Sequence, residues 1–292
     1  MRRIVRSEAI CLRVQDYHES SKLVTFFTLE HGKVNCLAKG ARRLRSKFGA
    51  ALDLFARSRI IYYSHETRTL LTLSDAELVH SFSGLALRPE RFLAAEQMAE
   101  FALRVIQPHD PSPQLYRLLL NYLSTLESCA PPLPSTPDSR LATPYPALVC
   151  SFLLKAASFL GFRPELRRCL LCRRPIENQR PAYFEPDRGG VICPRCAGDN
   201  PRGTRLDPAG LDTLAFLLYT PASEIVQALS PGPRSATGDN HQVRPDPGTQ
   251  SLQSAIGNLQ SPLDLVLGFL GHHFDPLVLN SFRWHADLER NT

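Results

Sequence analysis

Leu23-Val24-Thr25-Phe26-Phe27-Thr28-Leu29, Glu30-His31-Gly32 and Lys33-Val34-Asn35-Cys36-Leu37-Ala38 follow one another without a break. The outer runs are β-branched and apolar, and Gly32 supplies the positive φ that a tight turn can require. The segment therefore predicts two paired strands, with Glu30-His31-Gly32 as the first hairpin turn. Similar short runs lie on either side: Ala9 to Val14 upstream, Arg59 to Tyr63 and Leu70 to Leu73 downstream. Five strands in about 75 residues suit a small closed barrel, for which the oligonucleotide-binding (OB) fold and an SH3-like barrel both fit the pattern.

After Pro89 the period changes. Phe92, Ala95, Ala99, Ala102, Val105 and Ile106 recur at helical steps, and Gln107 to Pro111 ends the run. Leu115, Leu118, Leu119, Tyr122, Leu123 and Leu126 predict a second helix, and Ala147 to Leu160 a third that stops at Gly161. The stretch from Pro131 to Pro146 reads as an exposed connection. Leu206 to Leu229 reads as helix divided at Pro221, and a last helix starts near Ser261-Pro262, with Pro276 ending or kinking it. Residues 230–258 are rich in Ser, Pro, Gly, Asn and Gln and are expected to be a disordered insertion. The class is thus α+β, with a barrel domain over 1–80 and a helical domain over 81–292.

The 292 residues are 43% hydrophobic and 21% charged, ordinary for a globular chain. Lys and Arg outnumber Asp and Glu by 34 to 28, for a net charge of +6 that favours polyanionic partners. Neither a secretory signal nor a run of about 18 apolar residues is present, so a cytoplasmic location and no membrane partner are expected. In that reducing compartment the eight cysteines point to metal binding over disulfides.

Cys169-Leu170-Leu171-Cys172 and Cys193-Pro194-Arg195-Cys196 are two CxxC pairs separated by residues 173–192. A two-residue spacer lets both thiolates of a pair face one ion, and two pairs close a tetrahedral shell. Cys169, Cys172, Cys193 and Cys196 are therefore the candidate ligands of a structural Zn²⁺, within a module spanning 165–200. A redox dithiol or unlinked buried cysteines are the competing readings. Cys11, Cys36, Cys129 and Cys150 lie singly in apolar segments and read as ordinary buried residues.

Between Lys39 and Arg59 seven cations stand against the single acid Asp53. Lys39, Arg42, Arg43, Arg45 and Lys47 form one loop that can follow a phosphate backbone, with a solvated loop as the bland alternative. Phe48, Phe55, Tyr62 and Tyr63 are candidates for base stacking, though most are expected to fill the barrel. No phosphate-binding GxxxxGK[ST] loop, GxSxG elbow, HExxH pair or dinucleotide glycine pattern occurs, so a non-enzymatic binding protein is expected. His272 and His273, about 100° apart on a helix, read as ordinary helix-end histidines.

Taken together, three stretches resemble the bacterial recombination-mediator family RecO: Gly32-Lys33-Val34 through Ala38-Lys39-Gly40-Ala41-Arg42-Arg43, Leu160 to Leu166 leading to Cys169, and Gly189-Gly190-Val191-Ile192-Cys193. Gly271-His272-His273 and Asn280-Ser281 are similar to its C-terminal helix. The resemblance implies an OB domain and a helical domain with a zinc module. It also implies DNA repair and recombination: binding single- and double-stranded DNA, annealing complementary strands, and loading recombinase on DNA coated with single-strand-binding protein. RecR and the acidic C-terminal tail of the single-strand-binding protein are the implied partners, in a nucleoid-associated setting. Lys39, Arg42 and Arg43 match the family's basic motif; Arg45 and Lys47 extend it. For the acidic tail, the region Ala147 to Arg163 with Lys155 and Arg163 is the expected contact. Arg173 departs from the glycine common after the second cysteine. Two other classes remain open: an RNA-binding or translation-associated zinc-ribbon protein, which contacts to the 2′-hydroxyl would mark, and a scaffold whose basic loop holds an acidic protein.

Overall fold

Buried and half-buried residues alternate strictly along Gly32–Ala38, as a strand with one face in a core requires. This strand belongs to a five-stranded barrel in the computed structural model, which describes residues 3–65, 68–129, 144–176, 180–199, 201–229, 260–274 and 279–281. The strands are β1 (Arg3–Tyr17), β2 (Ser21–Thr28), β3 (Gly32–Ala38), β4 (Arg57–Ser64) and β5 (Leu70–His80). They pair in the order β1-β2-β3-β5-β4, and β4 returns to β1 to close the barrel. Only β3 and β5 are parallel, with Asn35 opposite Leu70 and Leu37 opposite Thr72. That order is the OB arrangement.

β1 and β5 extend beyond the runs that periodicity marks. One strand serves two neighbours: residues 3–10 of β1 pair with β4 and residues 9–17 with β2, with a bulge between Cys11 and Arg13. A bulge bends and twists a strand, which lets five strands close. The turn Glu30-His31-Gly32 joins β2 to β3 and is the second hairpin, not the first. The first turns at His18-Glu19-Ser20, where His18 takes φ +52 without a glycine to announce it. Gly32 is required by more than its φ of +65, since a Cβ there would lie 2.4 Å from the Asp110 carbonyl and 2.5 Å from that of Gln107.

Two compact units emerge: the described residues of Met1–Ser128 and Leu279–Thr292 form one, and those of Cys129–Val278 the other. In the first, Cys11, Phe26, Val34, Cys36, Ile60 and Tyr62 belong to the barrel core, with Phe48, Ala51 and Leu52 contributed by the β3–β4 connection. Outward-facing Phe27 meets Tyr116 edge-on at 5.4 Å. Tyr116 is on α2 (Pro113–Ser128), which packs with α1 (Pro89–Val105). Both helices thus fall in the unit of the barrel. The Glu100 carboxylate on α1 accepts the backbone N–H of Asn280 at 2.8 Å and of Ser281 at 2.9 Å.

The second unit is built on α3 (Tyr145–Phe159), buried nearly all round and packed by α5 (Pro208–Tyr219), α6 (Ala222–Leu229) and α7 (Gln260–His273). α3 starts two residues before the expected Ala147, because Pro146 is tolerated in a first turn that needs no N–H. Pro221 does separate α5 from α6. β6 (Ala182–Glu185), β7 (Gly190–Ile192) and β8 (Thr204–Leu206) form a sheet ordered β7-β6-β8, and the one-turn α4 (Pro194–Ala197) follows β7. The expected insertion at 230–258, Pro276 and most of the Pro131 to Pro146 stretch lie outside the described residues.

Candidate nucleic-acid interface and metal centre

The basic loop connects β3 to a 3₁₀ turn at Gly49–Leu52, and its backbone is tied by the Arg42 N–H to the Ser20 carbonyl and by the Ser46 N–H to that of Arg43. Lys39, Arg42, Arg43, Arg45 and Lys47 are all exposed, but they are not equivalent. Arg42 donates to the His18 carbonyl at 2.7 Å and pairs with Asp16 at 3.3 Å, so it braces the loop against the first hairpin. Lys47 donates to the Ser74 carbonyl and sits 5.3 Å from the Phe48 ring centroid. The charged groups of Lys39, Arg43 and Arg45 make no hydrogen bond or ion pair among the described residues. Arg42 and Lys47 pin the loop, with Arg43 and Arg45 between them and Lys39 just before, three cations without a partner among the described residues.

The structure sorts the other expected contributors. Arg57 and Arg59 are paired with Glu8 and Glu77, which removes them from the local excess. Phe48, Phe55 and Tyr62 are buried, Phe48 and Tyr62 in the barrel and Phe55 edge-on to Phe92 of α1, so these three are not stacking platforms. Tyr63 is half-buried.

In the second unit the four candidate ligands converge, all four Sγ atoms lying within 4.8 Å of one another. A tetrahedral Zn²⁺ with bonds of about 2.3 Å needs sulfurs about 3.8 Å apart, and Cys172 Sγ is 3.8 Å from Cys193 Sγ. Four thiolates this close repel one another unless a dication lies between them, so the donor set fits a closed, structural site. Each pair lies on a tight turn. In the first, the Cys169 N–H donates to the Arg174 carbonyl and the Arg173 N–H to that of Cys169, with Arg173 at φ +60. In the second, the Cys196 and Ala197 N–H groups both reach the Cys193 carbonyl, and Gly198 follows at φ +65. The Cys193 N–H also points at Cys169 Sγ, 3.4 Å away. Burial opposes ionisation of Cys169, yet the N–H groups of Cys193, Cys172 and Leu171 outweigh it and bring the thiol down to about 6. The same closeness works against Cys196, whose thiol the neighbouring sulfurs push up, so one proton held among four sulfurs is what a bound dication would displace.

The single cysteines behave as the sequence suggests. Burial pushes Cys11, Cys36 and Cys150 up to about 12, which leaves them unreactive. His273 packs edge-on against Phe269 and lies 3.1 Å from the Pro186 carbonyl, and neither it nor His272 joins a metal-binding cluster among the described residues. Of the expected acidic-tail contacts, Lys155 is half-buried and donates to the Thr220 carbonyl, while Arg163 is exposed over Tyr219. The sequence reading passed over Arg167, Arg168 and Tyr219, which share a cleft with Arg163. Two adjacent arginines before Cys169 were the available signal; Tyr219 offered none, because only the fold brings it near.

Two family models match: "Recombination protein O N terminal" over residues 1–82 and "Recombination protein O C terminal" over 87–230. Relatives described as DNA repair protein RecO include one from Desulfitobacterium hafniense, 32% identical over 66% of this chain. That match spans 64% of the relative, slightly under two thirds of its length. The protein of that description from Anaeromyxobacter dehalogenans is 32% identical over 77% of this chain and 82% of its own length. The one from Symbiobacterium thermophilum is 34% identical over 72% and 78%.

Proposed function

This chain belongs to the Recombination protein O family, and on that premise we propose that it is a non-catalytic mediator of DNA repair and homologous recombination. It binds single- and double-stranded DNA, anneals complementary strands and, together with RecR, helps load recombinase on DNA coated with single-strand-binding protein. The observation that carries the reading is the braced loop on a closed barrel, with Lys39, Arg43 and Arg45 left without partners among the described residues. Cations held in that state neutralise phosphates and release condensed counterions when a polyanion arrives. Annealing asks for no more chemistry than this, since two backbones approach once their charge is screened.

The zinc reading is part of the proposal. Cys169, Cys172, Cys193 and Cys196 would hold the ion, which supplies a cross-link between the segment after α3 and the end of β7. With all four positions taken by sulfur it has no open site for catalysis. A cytoplasmic, nucleoid-associated location follows from the substrate; no helix among the described residues is long and apolar enough to cross a membrane. The acidic tail of the single-strand-binding protein is assigned to the Arg163 region, with Lys155 withdrawn into its own hydrogen bond.

A strand-annealing assay on complementary oligonucleotides pre-coated with single-strand-binding protein, with and without RecR, tests the function. Duplex should form faster with the protein than without it. Annealing at the spontaneous rate at low salt, where charge neutralisation is strongest, would refute the reading.

A further inference from the structure

We propose that Leu44, at the tip of the basic loop, inserts between successive bases of the strand whose phosphates the flanking cations hold, so that the loop reads exposed bases as well as charge. This rests on the reading of that loop as the DNA-binding element and deepens it. Leu44 is 104% exposed, the highest value of any large hydrophobic residue among those described, so none of them covers it. Single exposed aliphatic side chains are ordinary on protein surfaces. The placement of this one is what carries information.

The loop has the means to hide an apolar side chain. Ala41, three positions earlier, packs against the barrel core, and Phe48, four positions later, is buried within it. Leu44 is turned outward by the backbone between them. The Arg43 N–H donates to the Gly40 carbonyl at 3.1 Å and the Ser46 N–H to the Arg43 carbonyl at 2.9 Å, so Arg43-Leu44-Arg45-Ser46 is a closed turn with Leu44 at its second position. Beyond it the Phe48 N–H donates to Ser46 Oγ at 3.3 Å. Arg42 ties one side of the turn to the His18 carbonyl, and Lys47 ties the other to that of Ser74. A leucine on a backbone braced in this way loses little further freedom when it meets a partner.

The neighbouring charges name that partner. Arg43 and Arg45 flank Leu44, exposed and without a hydrogen bond or ion pair among the described residues. An apolar protein surface closing over the leucine would have to desolvate both guanidinium groups. A nucleic-acid strand satisfies them with phosphates and offers the leucine the flat apolar faces of its bases. Leucine is among the side chains that wedge between base steps and unstack them. Phe48, Phe55 and Tyr62, aromatic residues suited to stacking, are buried, which leaves Leu44 as the large apolar side chain that residues 39–47 present to solvent. Bases held apart keep their edges free for a complementary strand, as annealing requires.

The test uses the full chain and two end-labelled single-stranded probes of equal length. One is an oligodeoxyadenylate with an internal 2-aminopurine; the other keeps the phosphodiester backbone and replaces the bases with abasic sites. Affinity is read by anisotropy across a salt series, and unstacking by 2-aminopurine emission. The native protein should raise that emission. Leu44→Ala should lose about fivefold in affinity for the base-bearing probe, none for the abasic one, and the rise in emission, with the native salt slope on both probes and an unchanged melting temperature. Leu44→Met should keep the rise. Equal losses on the two probes, or no loss on either, would overturn the proposal. Lys39→Ala/Arg43→Ala/Arg45→Ala separates the two levels of the reading. A flattened slope in that variant beside a native-like Leu44→Ala removes the base contact alone, whereas an unchanged slope removes the loop from DNA binding and the base contact with it.

Discussion

Arg173 shows how a single backbone angle carries information that residue type conceals. At φ +60 it occupies the left-handed region, which costs a side-chain-bearing residue about 1–2 kcal/mol and glycine almost nothing. The turn after Cys172 needs that angle so that both sulfurs of the pair face one point. Arg173→Gly should therefore stabilise the protein, by a net 0.5–1 kcal/mol or so once the extra freedom of glycine in the unfolded chain is subtracted. Denaturant unfolding of the zinc-loaded protein would measure it, and a loss of stability would show that the Arg173 charge matters more to the thiolates than its strain. Lys155 makes a prediction of a different kind, because burial lowers its pKa from 10.5 to about 8. The folded chain releases that proton more readily than the unfolded chain, so its penalty is complete below about pH 8 and fades as the pH rises toward 10.5. Half-exposure screens the effect to on the order of 1–2 kcal/mol. Lys155→Met should be the more stable protein at pH 7, with its advantage shrinking between pH 8 and 10 in parallel unfolding measurements. A difference independent of pH would mean that the amine is not desolvated.

At the scale of elements, the loop and the two knuckles give separable expectations. Replacing Lys39, Arg43 and Arg45 with Ala should weaken DNA binding for all sequences and lower the salt slope by about 0.7 per lost contact with single strands. Replacing Arg42 alone should act differently, since it braces Asp16 and the His18 carbonyl: the loop loosens and base-line affinity falls without a matching change in slope. Cys193→Ser/Cys196→Ser should lose zinc by metal analysis and lower the melting temperature of the zinc-bearing unit. These elements were legible from sequence to the extent that their signals are local. The β2–β3 pair, the break at Pro221 and the cysteine spacing all lie within short windows, where period and residue type decide the outcome. The first hairpin was missed because His18 takes a left-handed angle usually given to glycine. The length of β1 was missed because a strand shared by two neighbours around a bulge has no single period. The cleft was hidden for another reason: its ring comes from α5 and its cations from the segment before Cys169, and no local pattern links them.

At the scale of the whole molecule, the net charge of +6 says only that polyanions are attracted. Arg57 and Arg59 are spent on internal pairs, while Lys39, Arg43 and Arg45 stand exposed on a loop of one unit and Arg163, Arg167 and Arg168 line a cleft of the other. Metal removal should therefore act unevenly. Chelation of the native protein should raise amide exchange first in residues 165–199, where the tetrad ties the chain together, and later in the barrel strands, whose ladder closes without a metal. Uniform loss of protection would indicate one cooperative unit. The Glu100 contact bears on synthesis as well. Its carboxylate emerges from the ribosome long before Asn280 and Ser281, the residues whose amides it receives. A nascent chain can thus complete the sheet, the basic loop and the thiolate clamp while α1 still waits for its last latch, so a translation arrest in that interval would leave a DNA-attracting protein tethered to the polysome with its first-made half unfinished.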